Sequence, residues 1–307
     1  MDLMERFSTP DKARENLEAT IWPDGPVCPH CQSREAYRLT PKATSKRPGR
    51  KGLLKCKDCR KQFTVTVGTI FEDSHIPLHK WLIAVHLLCA SKKGISSHQL
   101  HRMLGMTYKS AWFMTHRIRY AMKQPPLLEK MRGTVEVDET YVGPKERGIG
   151  HGVPLVSKKT AVVSLVQRGG KVRSFHVERV TLNNIGPILK EHIHQGAHLN
   201  TDDSSIYKNM KPWFPFHKTV VHTKREYVRK EPKRTISTNT VEGFFSLVKR
   251  GVYGTYHHWS KAHLHRYLAE FDFRYNHRDV EDGARAIATI QQVEGKRLTY
   301  KPLTKGA

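Results

Sequence analysis

The order of apolar and polar positions changes character near residue 125. Before that point, residues 81–90 read WLIAVHLLCA, which predicts one buried helix, and the spacing of Leu100 and Leu104 predicts a short helix after it. A Pro-Pro break at residues 125–126 follows. Polar and apolar residues then alternate in TVEVDETYVG, residues 134–143, which predicts a strand. The pattern therefore predicts a helical region followed by a region that contains strands.

Strands and helices alternate from about Thr134 to about Arg278. TAVVSLVQ and KVRSFHVER flank Gly169-Gly170, which is typical of a β-hairpin. A helix over about residues 183–195 precedes a short strand that leads to Asp202. The i, i+3, i+4, i+7 spacing of a buried helical face recurs at Val241, Phe244, Phe245 and Val248. Strand, hairpin, helix, strand and late helix is the order of an α/β RNase H-like fold.

The helical region contains a short helix, a glycine turn and a second helix. Ser96 or Ser97 can cap the first helix, Gly105 suits the turn, and Thr107 can cap the second. This arrangement predicts a helix-turn-helix, which lays its second helix in a major groove of DNA. The alternative is an ordinary helical hairpin that packs only against its neighbours. The DNA-contacting side chains expected on the second helix are Lys109, Arg117 and Arg119.

Four of the five cysteines form two CxxC pairs, Cys28 with Cys31 and Cys56 with Cys59. Two such knuckles supply the four thiolates of a tetrahedral structural site, so they predict a zinc ribbon with one Zn²⁺. A closed four-sulfur site leaves no open position for catalysis. We expect His30 to be a solvated loop residue and Cys89 to be a small buried apolar residue.

The chain is strongly basic, with 53 Lys plus Arg against 28 Asp plus Glu and a formal net charge of +25. Such a charge favours binding to a polyanion, above all nucleic acid. A ribosomal protein and a membrane-surface binder are the alternatives from charge alone. The sequence has no run of about 20 apolar residues and no secretory signal at its N-terminus. We therefore expect a cytoplasmic protein that associates with DNA.

Three acidic residues are placed for chemistry, although they lie far apart in sequence. Asp138 projects from one face of the strand at 134–143, Asp202 ends a later strand, and Glu242 lies in the late helix. The predicted fold brings these positions together. Carboxylate oxygens suit Mg²⁺ or Mn²⁺, and two such ions support in-line cleavage and joining of phosphodiesters. The pattern predicts a two-metal site.

Each acid also has a plainer interpretation. Asp138 can be a strand-end charge that faces solvent. Asp203 can replace Asp202 as the ligand, although Asp202 continues the strand. Asn239 and Glu242 have the spacing of a capping box, in which Glu242 bonds back to the amide of Asn239.

A basic run precedes the late helix. Residues 224–234 read KREYVRKEPKR, with Tyr227 among the charges. A charge run is often only a solvated face, but its place next to Glu242 favours phosphate binding. The expected DNA contacts are Lys224, Arg225, Arg229, Lys230, Lys233 and Arg234.

Several long motifs resemble one known family. CPHC and CKDC, then FTVTVGTIFEDSHIPLHKW, VEVDETYVG and TNTVEGFFSLVKRGVYGTYHHWSKAHLHRYLAEFDFRYNHR, are similar to the ISXO2-like transposases of the IS1595 group over about residues 20–278. The resemblance implies a DDE-type catalytic site followed by a lysine. The matching positions are Asp138, Asp202, Glu242 and Lys249. The chain has TDD where the family often has TDE or TDG, so the choice between Asp202 and Asp203 stays open.

The sequence thus predicts an N-terminal segment, a zinc ribbon, a helix-turn-helix domain, an RNase H-like domain and a loosely held basic tail. Their expected ranges are 1–19, 20–75, 76–125, 126–280 and 281–307. The expected function is that of a transposase, acting as a homo-oligomer on the terminal inverted repeats of its element and on target DNA. The alternatives are a catalytically silent DNA-binding regulator derived from a transposase, and a recombinase with a tyrosine nucleophile such as Tyr141.

Overall fold

The computed structural model describes residues 7–40, 51–125, 129–143, 159–232 and 234–300. These residues fall into two units. The first unit contains residues 7–91, 95–122 and 280–300, and the second contains residues 92–94 and 123–279, each as far as it is described. Within these ranges no helix is both long and apolar enough to cross a lipid bilayer. Pro126 lies outside the described residues.

The first unit begins with helix α1 (Pro10–Ile21), which crosses the predicted boundary between the N-terminal segment and the zinc ribbon at residue 19. The side chain of Thr9 accepts a hydrogen bond of 3.2 Å from the amide of Lys12, which satisfies one orphan donor at the helix start. Leu17 is fully buried on the inner face of the helix. Residues 10–19 are therefore part of the first unit.

A small antiparallel sheet follows α1. Its strands are β1 (Ala36–Arg38), β2 (Leu54–Cys56) and β3 (Gln62–Phe63), with β2 in the centre. Leu54 pairs with Phe63, and both side chains are buried against Cys28 and Cys56. This core is too small to stabilise a domain by itself, which is typical of folds that rely on a bound metal.

Three helices complete the middle of the first unit: α2 (Leu78–Ala90), α3 (Ser97–Leu104) and α4 (Tyr108–Ala121). Ser96 caps α3 by accepting from the amide of Gln99, and Thr107 caps α4 by accepting from the amide of Ser110. Gly105 ends α3 in the left-handed region at φ 57°. The predicted caps and glycine turn are confirmed, and of the two candidate serines Ser96 is the cap.

The segment expected to be a loose tail contains helix α8 (Asp282–Ile290), which packs against α2. Ala286 and Ile290 are buried, and a guanidinium nitrogen of Arg285 donates a 2.9 Å hydrogen bond to the carbonyl of Cys89. The prediction of a loose tail is wrong for this helix. The helix is only nine residues long, so its short apolar face is not evident in a sequence where charged residues surround it. Residues 301–307 lie outside the described residues.

The second unit is built on a five-stranded sheet in the order β6-β5-β4-β7-β8. The strands are β4 (Thr134–Val142), β5 (Thr160–Gln167), β6 (Val172–Val177), β7 (His198–Thr201) and β8 (Lys218–Thr219). β4, β5 and β6 form an antiparallel meander, while β7 runs parallel to β4 and β8 parallel to β7. Helix α5 (Leu182–His192) is the crossover that a parallel β7 requires. The predicted hairpin at Gly169 is confirmed.

Two apolar cores cover the two faces of this sheet. On one face, Val135 and Val137 of β4 pack with Ile185 and Leu189 of α5. On the other face, Val142 of β4 joins a core formed by two late helices. Alternate residues of β4 therefore point to opposite layers, and the even-numbered ones, which include Asp138, face the late helices.

The late helices are α6 (Asn239–Gly251), which continues into a π-helical segment at Val252–Tyr256, and α7 (Leu264–Asn276). A hairpin of β9 (Val228–Glu231) and β10 (Arg234–Ser237) leads directly into α6. The buried face of α6 is the predicted one, with Val241, Phe244, Phe245 and Val248 inside. The spacing of these apolar residues therefore correctly predicted which side of α6 is buried.

Gly251 lies where α6 packs tightly against its surroundings. A Cβ at Gly251 would overlap the ring of Phe271 and lie 3.0 Å from the carbonyl oxygen of Lys93. We expect Gly251→Ala to lower the stability of the second unit by about 1–3 kcal/mol through overpacking. The measurement is the unfolding midpoint of the full chain by circular dichroism.

Gly243→Ala on the same helix is the matched control. A Cβ at Gly243 meets nothing within 4 Å, so alanine should leave the midpoint unchanged or raise it through its better helix propensity. Equal destabilisation by both substitutions would contradict the packing assigned to Gly251.

Candidate active site and metal centre

The parallel pairing of β4 with β7 brings two of the predicted acids into the same region. Glu136 pairs with Asn200 in the ladder. Asp138 lies two residues further along β4, and Asp202 directly follows Thr201, the last residue of β7. Their proximity is reflected in the pKa of Asp138, which the negative charge of Asp202 helps to raise.

Helix α6 supplies the third acid from its first turn. Oε1 of Glu242 accepts a 2.7 Å hydrogen bond from the hydroxyl of Thr238, the residue before the helix. The Nε2 atom of His222 lies 3.6 Å from the same oxygen. The side chain of Glu242 remains 44% exposed, which leaves its other oxygen accessible to a ligand.

The capping-box interpretation of Glu242 is not supported. Asn239 is the first residue of α6, and the residue in the cap position is Thr238. The amides of Thr240 and Val241 donate to Glu136. Glu242 bonds to a threonine hydroxyl and has no hydrogen bond to the amide of Asn239.

The electrostatics of the three acids indicate mutual repulsion. Burial raises the pKa of Asp138 to about 7, and the negative charges of Glu139, Asp202 and Glu242 raise it as well. Burial also raises the pKa of Asp202. Carboxylates that are desolvated and crowded together favour either protonation or a cation. The donor set of hard oxygens fits Mg²⁺ or Mn²⁺.

The acids share an electrostatic neighbourhood, but their oxygens are not drawn together as closely as ligands of a single ion. Within the described residues, the group of three or more ligand atoms that lie within 4.8 Å of one another consists of the four cysteine sulfurs. The charges of the three acids nevertheless interact, because those of Asp202 and Glu242 raise the pKa of Asp138.

The neighbouring Asp203 is engaged elsewhere. Its Oδ2 accepts a 3.2 Å hydrogen bond from the hydroxyl of Thr223, whereas Oδ1 of Asp202 accepts only from the amide of Ser204 at 3.1 Å. Asp202, and not Asp203, is also among the charges that raise the pKa of Asp138, which favours Asp202 as the acid next to Asp138. Lys249 is exposed and lies seven residues, two turns of α6, beyond Glu242.

Two further acids near the site were not singled out from the sequence. Glu136 is fully buried on β4, and Glu139 accepts a 2.7 Å hydrogen bond from the hydroxyl of Tyr207. The sequence did contain a signal for Glu136. It lies two residues before Asp138 in a strand, so both side chains lie on the same face. No comparable signal connects Glu139 with Tyr207, 68 residues away.

The four cysteines of the ribbon form a metal-binding arrangement suited to zinc. Sγ of Cys28 lies 3.6 Å from that of Cys59, and Sγ of Cys31 lies 3.6 Å from that of Cys56. A tetrahedral site with Zn–S bonds of about 2.3 Å has sulfurs about 3.8 Å apart, so the cluster has the right size. His30 is exposed and not a member of the group.

Backbone amides also prepare this cluster for a cation. The amide of Cys59 and that of Asp58 lower the pKa of the Cys56 thiol to about 7. A thiolate is the form that binds zinc, and these two amides stabilise it at Cys56. Cys89 is buried and its sulfur lies 3.2 Å from the hydroxyl of Thr289, in agreement with a structural role.

The basic residues expected on α4 divide into two groups. Lys109 is exposed near the start of the helix, with its ammonium 4.8 Å from the centre of the Tyr300 ring. Arg117 and Arg119 are buried. The guanidinium of Arg117 donates a 2.7 Å hydrogen bond to the carbonyl of Glu72. The prediction that Arg117 and Arg119 contact DNA is therefore not supported, because both face the interior.

The basic run divides in the same way. Lys224, Arg225 and Lys230 are exposed. Arg229 pairs with Glu226 at 2.8 Å, and Arg234 donates a 2.8 Å hydrogen bond to the carbonyl of Phe216. Arg229 and Arg234 thus stabilise the loop. Lys233 lies outside the described residues.

Cys56→Ser should abolish the zinc content of the purified chain, which we expect to be one ion per chain, because three thiolates no longer close the tetrahedron. Metal analysis of the gel-filtered protein measures this. Cys89→Ser, in which the serine can still reach Thr289, and His30→Ala are the matched controls and should keep the zinc. Retention of a full equivalent by Cys56→Ser would exclude the four-sulfur site.

Two family models match this chain. Residues 130–276 match the family model of the ISXO2-like transposase domain, and residues 8–62 match that of the transposase zinc-ribbon domain, which includes α1. A relative in Halobacterium salinarum, described as an uncharacterized protein in transposable element ISH50, is 28% identical over 299 residues. The match covers 91% of this chain and 95% of that relative. The chain therefore contains a region that matches the ISXO2-like transposase domain of the IS1595 group and, before it, a region that matches the zinc-ribbon domain of the same group.

Proposed function

We propose that this chain is a DNA transposase that binds the terminal inverted repeats of its element and catalyses metal-dependent strand cleavage and strand transfer. The observation that supports the proposal is electrostatic: burial, together with the negative charges of Glu139, Asp202 and Glu242, raises the pKa of Asp138 to about 7. The strand order β6-β5-β4-β7-β8, followed by a late acidic helix, supports an RNase H-like fold.

Asp138, Asp202 and Glu242 are the residues that would hold two Mg²⁺ or Mn²⁺ ions. Such ions supply activation of the attacking oxygen and stabilisation of the leaving oxygen. The side chains of the site orient this chemistry: Thr238 fixes the rotamer of Glu242 through its 2.7 Å hydrogen bond. Lys249, exposed two turns further along α6, is placed to bind a phosphate of the bound strand.

DNA binding is assigned to three parts of the chain. The pair α3 and α4 has the caps and the glycine turn of a helix-turn-helix, with Lys109 at the exposed N-terminal end of the second helix. The zinc ribbon is the second part. The third is the loop before α6, where Lys224, Arg225 and Lys230 are exposed beside the catalytic edge. A net charge of +25 favours a polyanionic partner for all of them. Assembly of a homo-oligomer on the paired element ends belongs to the same proposal.

Asp138→Ala should reduce Mg²⁺-dependent cleavage of DNA that carries the element's ends by roughly a thousandfold or more, because metal catalysis supplies several kcal/mol of the barrier reduction. Single-turnover cleavage on labelled DNA measures the loss. Tyr141→Phe on the same strand should cleave normally. A chain that loses cleavage with Tyr141→Phe and keeps it with Asp138→Ala would instead use a tyrosine nucleophile.

The same assay separates the two adjacent acids. Asp202→Asn should lose cleavage as Asp138→Ala does, and Asp203→Asn should keep most of it, because Asp203 is bonded to Thr223. The reverse order of the two activities would reassign the ligand to Asp203.

Lys109→Ala should reduce the slope of log binding constant against log salt by about 0.9, the value for one phosphate contact on duplex DNA. Fluorescence anisotropy across a salt series gives this slope. Arg117→Gln is the contrasting variant: it should lower stability, since it removes a buried hydrogen bond to Glu72, and leave the slope unchanged. A reduced slope for Arg117→Gln alone would overturn this division of roles.

A further inference from the structure

Glu136 occupies an unusual position for a charged side chain. It lies on β4, two residues before Asp138 and on the same face, yet it is completely buried. Its Oε2 accepts hydrogen bonds from the amides of Thr240 and Val241 at 2.7 and 3.1 Å, and its Oε1 accepts from the hydroxyl of Thr240 at 3.0 Å. Glu136 therefore caps the N-terminus of α6 from a strand more than one hundred residues away.

Arg168 fixes the other side of this carboxylate. Its Nε donates a 2.6 Å hydrogen bond to Oε1 of Glu136. The two terminal nitrogens of the same guanidinium donate to the carbonyl of Thr235 at 2.7 Å and to the hydroxyl of Ser237 at 2.6 Å. The planar guanidinium of Arg168 thus connects the end of β5 with strand β10, which leads into α6.

The ladder partner of Glu136 reaches the same junction. Asn200 pairs with Glu136 between β7 and β4, is almost fully buried, and donates a 3.3 Å hydrogen bond to the carbonyl of Ser237. Glu136, Asn200 and their partners form one buried polar layer. Each of the two paired residues lies two positions before an acid of the proposed site: Asp138 lies further along β4, and Asp202 directly follows the end of β7.

Glu136 is not itself placed to bind a metal. It accepts four hydrogen bonds of 3.1 Å or shorter, which leaves little acceptor capacity for a cation. Its negative charge is instead favourable where it stands, because the amides at the start of a helix and the helix dipole both attract an anion.

We propose that Glu136 is a positioning residue that sets the distance from Glu242 to Asp138. The inference rests on the proposed function, since it concerns the same carboxylate site. Glu242 lies in the first turn of α6, one and two residues beyond the amides that Glu136 holds. Any shift of that turn moves Glu242 relative to β4, whereas Asp138 and Asp202 are fixed by the sheet itself.

The test uses the full chain and measures Mn²⁺ affinity by electron paramagnetic resonance, together with hydrogen exchange of the Thr240 and Val241 amides. Replacing a residue that orients metal ligands typically weakens metal binding about 10–100-fold. We expect Glu136→Gln to raise the Mn²⁺ dissociation constant by about that factor and to accelerate exchange of both amides, with cleavage partly restored at saturating Mn²⁺. Arg168→Lys, which keeps the charge but loses the fork, should show a smaller change of the same kind.

Asp272→Asn is the matched control, because Asp272 is also a buried carboxylate in the second unit that accepts a backbone amide, that of Ser174 at 2.8 Å. It should lower stability and leave Mn²⁺ affinity at the parental value. An unchanged Mn²⁺ affinity in Glu136→Gln overturns the inference. If Glu136→Gln does not fold, an unchanged Mn²⁺ affinity in Arg168→Lys overturns it instead. An equal loss in Asp272→Asn overturns it too, since general loosening would then explain the effect.

The proposed function fails in a different way. In that case the parent chain binds no Mn²⁺ that Asp138→Ala removes. Failure of the positioning role leaves this Asp138-dependent binding intact in the parent and equally strong in Glu136→Gln.

Discussion

The contact between the buried carboxylate of Glu136 and the first amides of α6 connects the sheet of the second unit with its late helix. The parallel pairing of β4 with β7 brings Asp138 near Asp202, which directly follows β7. Glu242 arrives from a helix that begins over one hundred residues later in the chain. A helix N-terminus with unsatisfied amides needs an acceptor, and a buried carboxylate needs donors. Each satisfies the other, so the position of α6 on the sheet is specified.

The same region concentrates negative charge in a protein that is otherwise strongly basic. The chain has a net charge of +25, whereas burial raises the pKa of Asp138, near Asp202 and Glu242, to about 7. A positive charge of this size favours a polyanionic partner, and crowded, desolvated carboxylates favour a cation.

The first unit is stabilised in a different way. Its ribbon has only a few buried apolar residues, among them Leu54 and Phe63, and therefore depends on the four cysteines for its stability. The interior of α4 contains two arginines, of which Arg117 donates to a backbone carbonyl. A basic side chain on a predicted recognition helix is consequently not always a DNA contact. Burial decides whether its charge faces the groove or stabilises the domain.

The sequence by itself determined the elements, the caps and the chemistry of the ligands. The CxxC spacing, the apolar face of α6 and the alternation of β4 are local patterns. They can be recognised in the sequence because the geometry of a metal knuckle, a helix or a strand repeats over a few residues. Only the tertiary structure decided that Glu136 caps α6, that Arg117 and Arg119 are buried, and that Ala286 and Ile290 make α8 part of the first unit. Those outcomes depend on contacts between residues tens to hundreds of positions apart. No periodicity in one segment encodes what will pack against it.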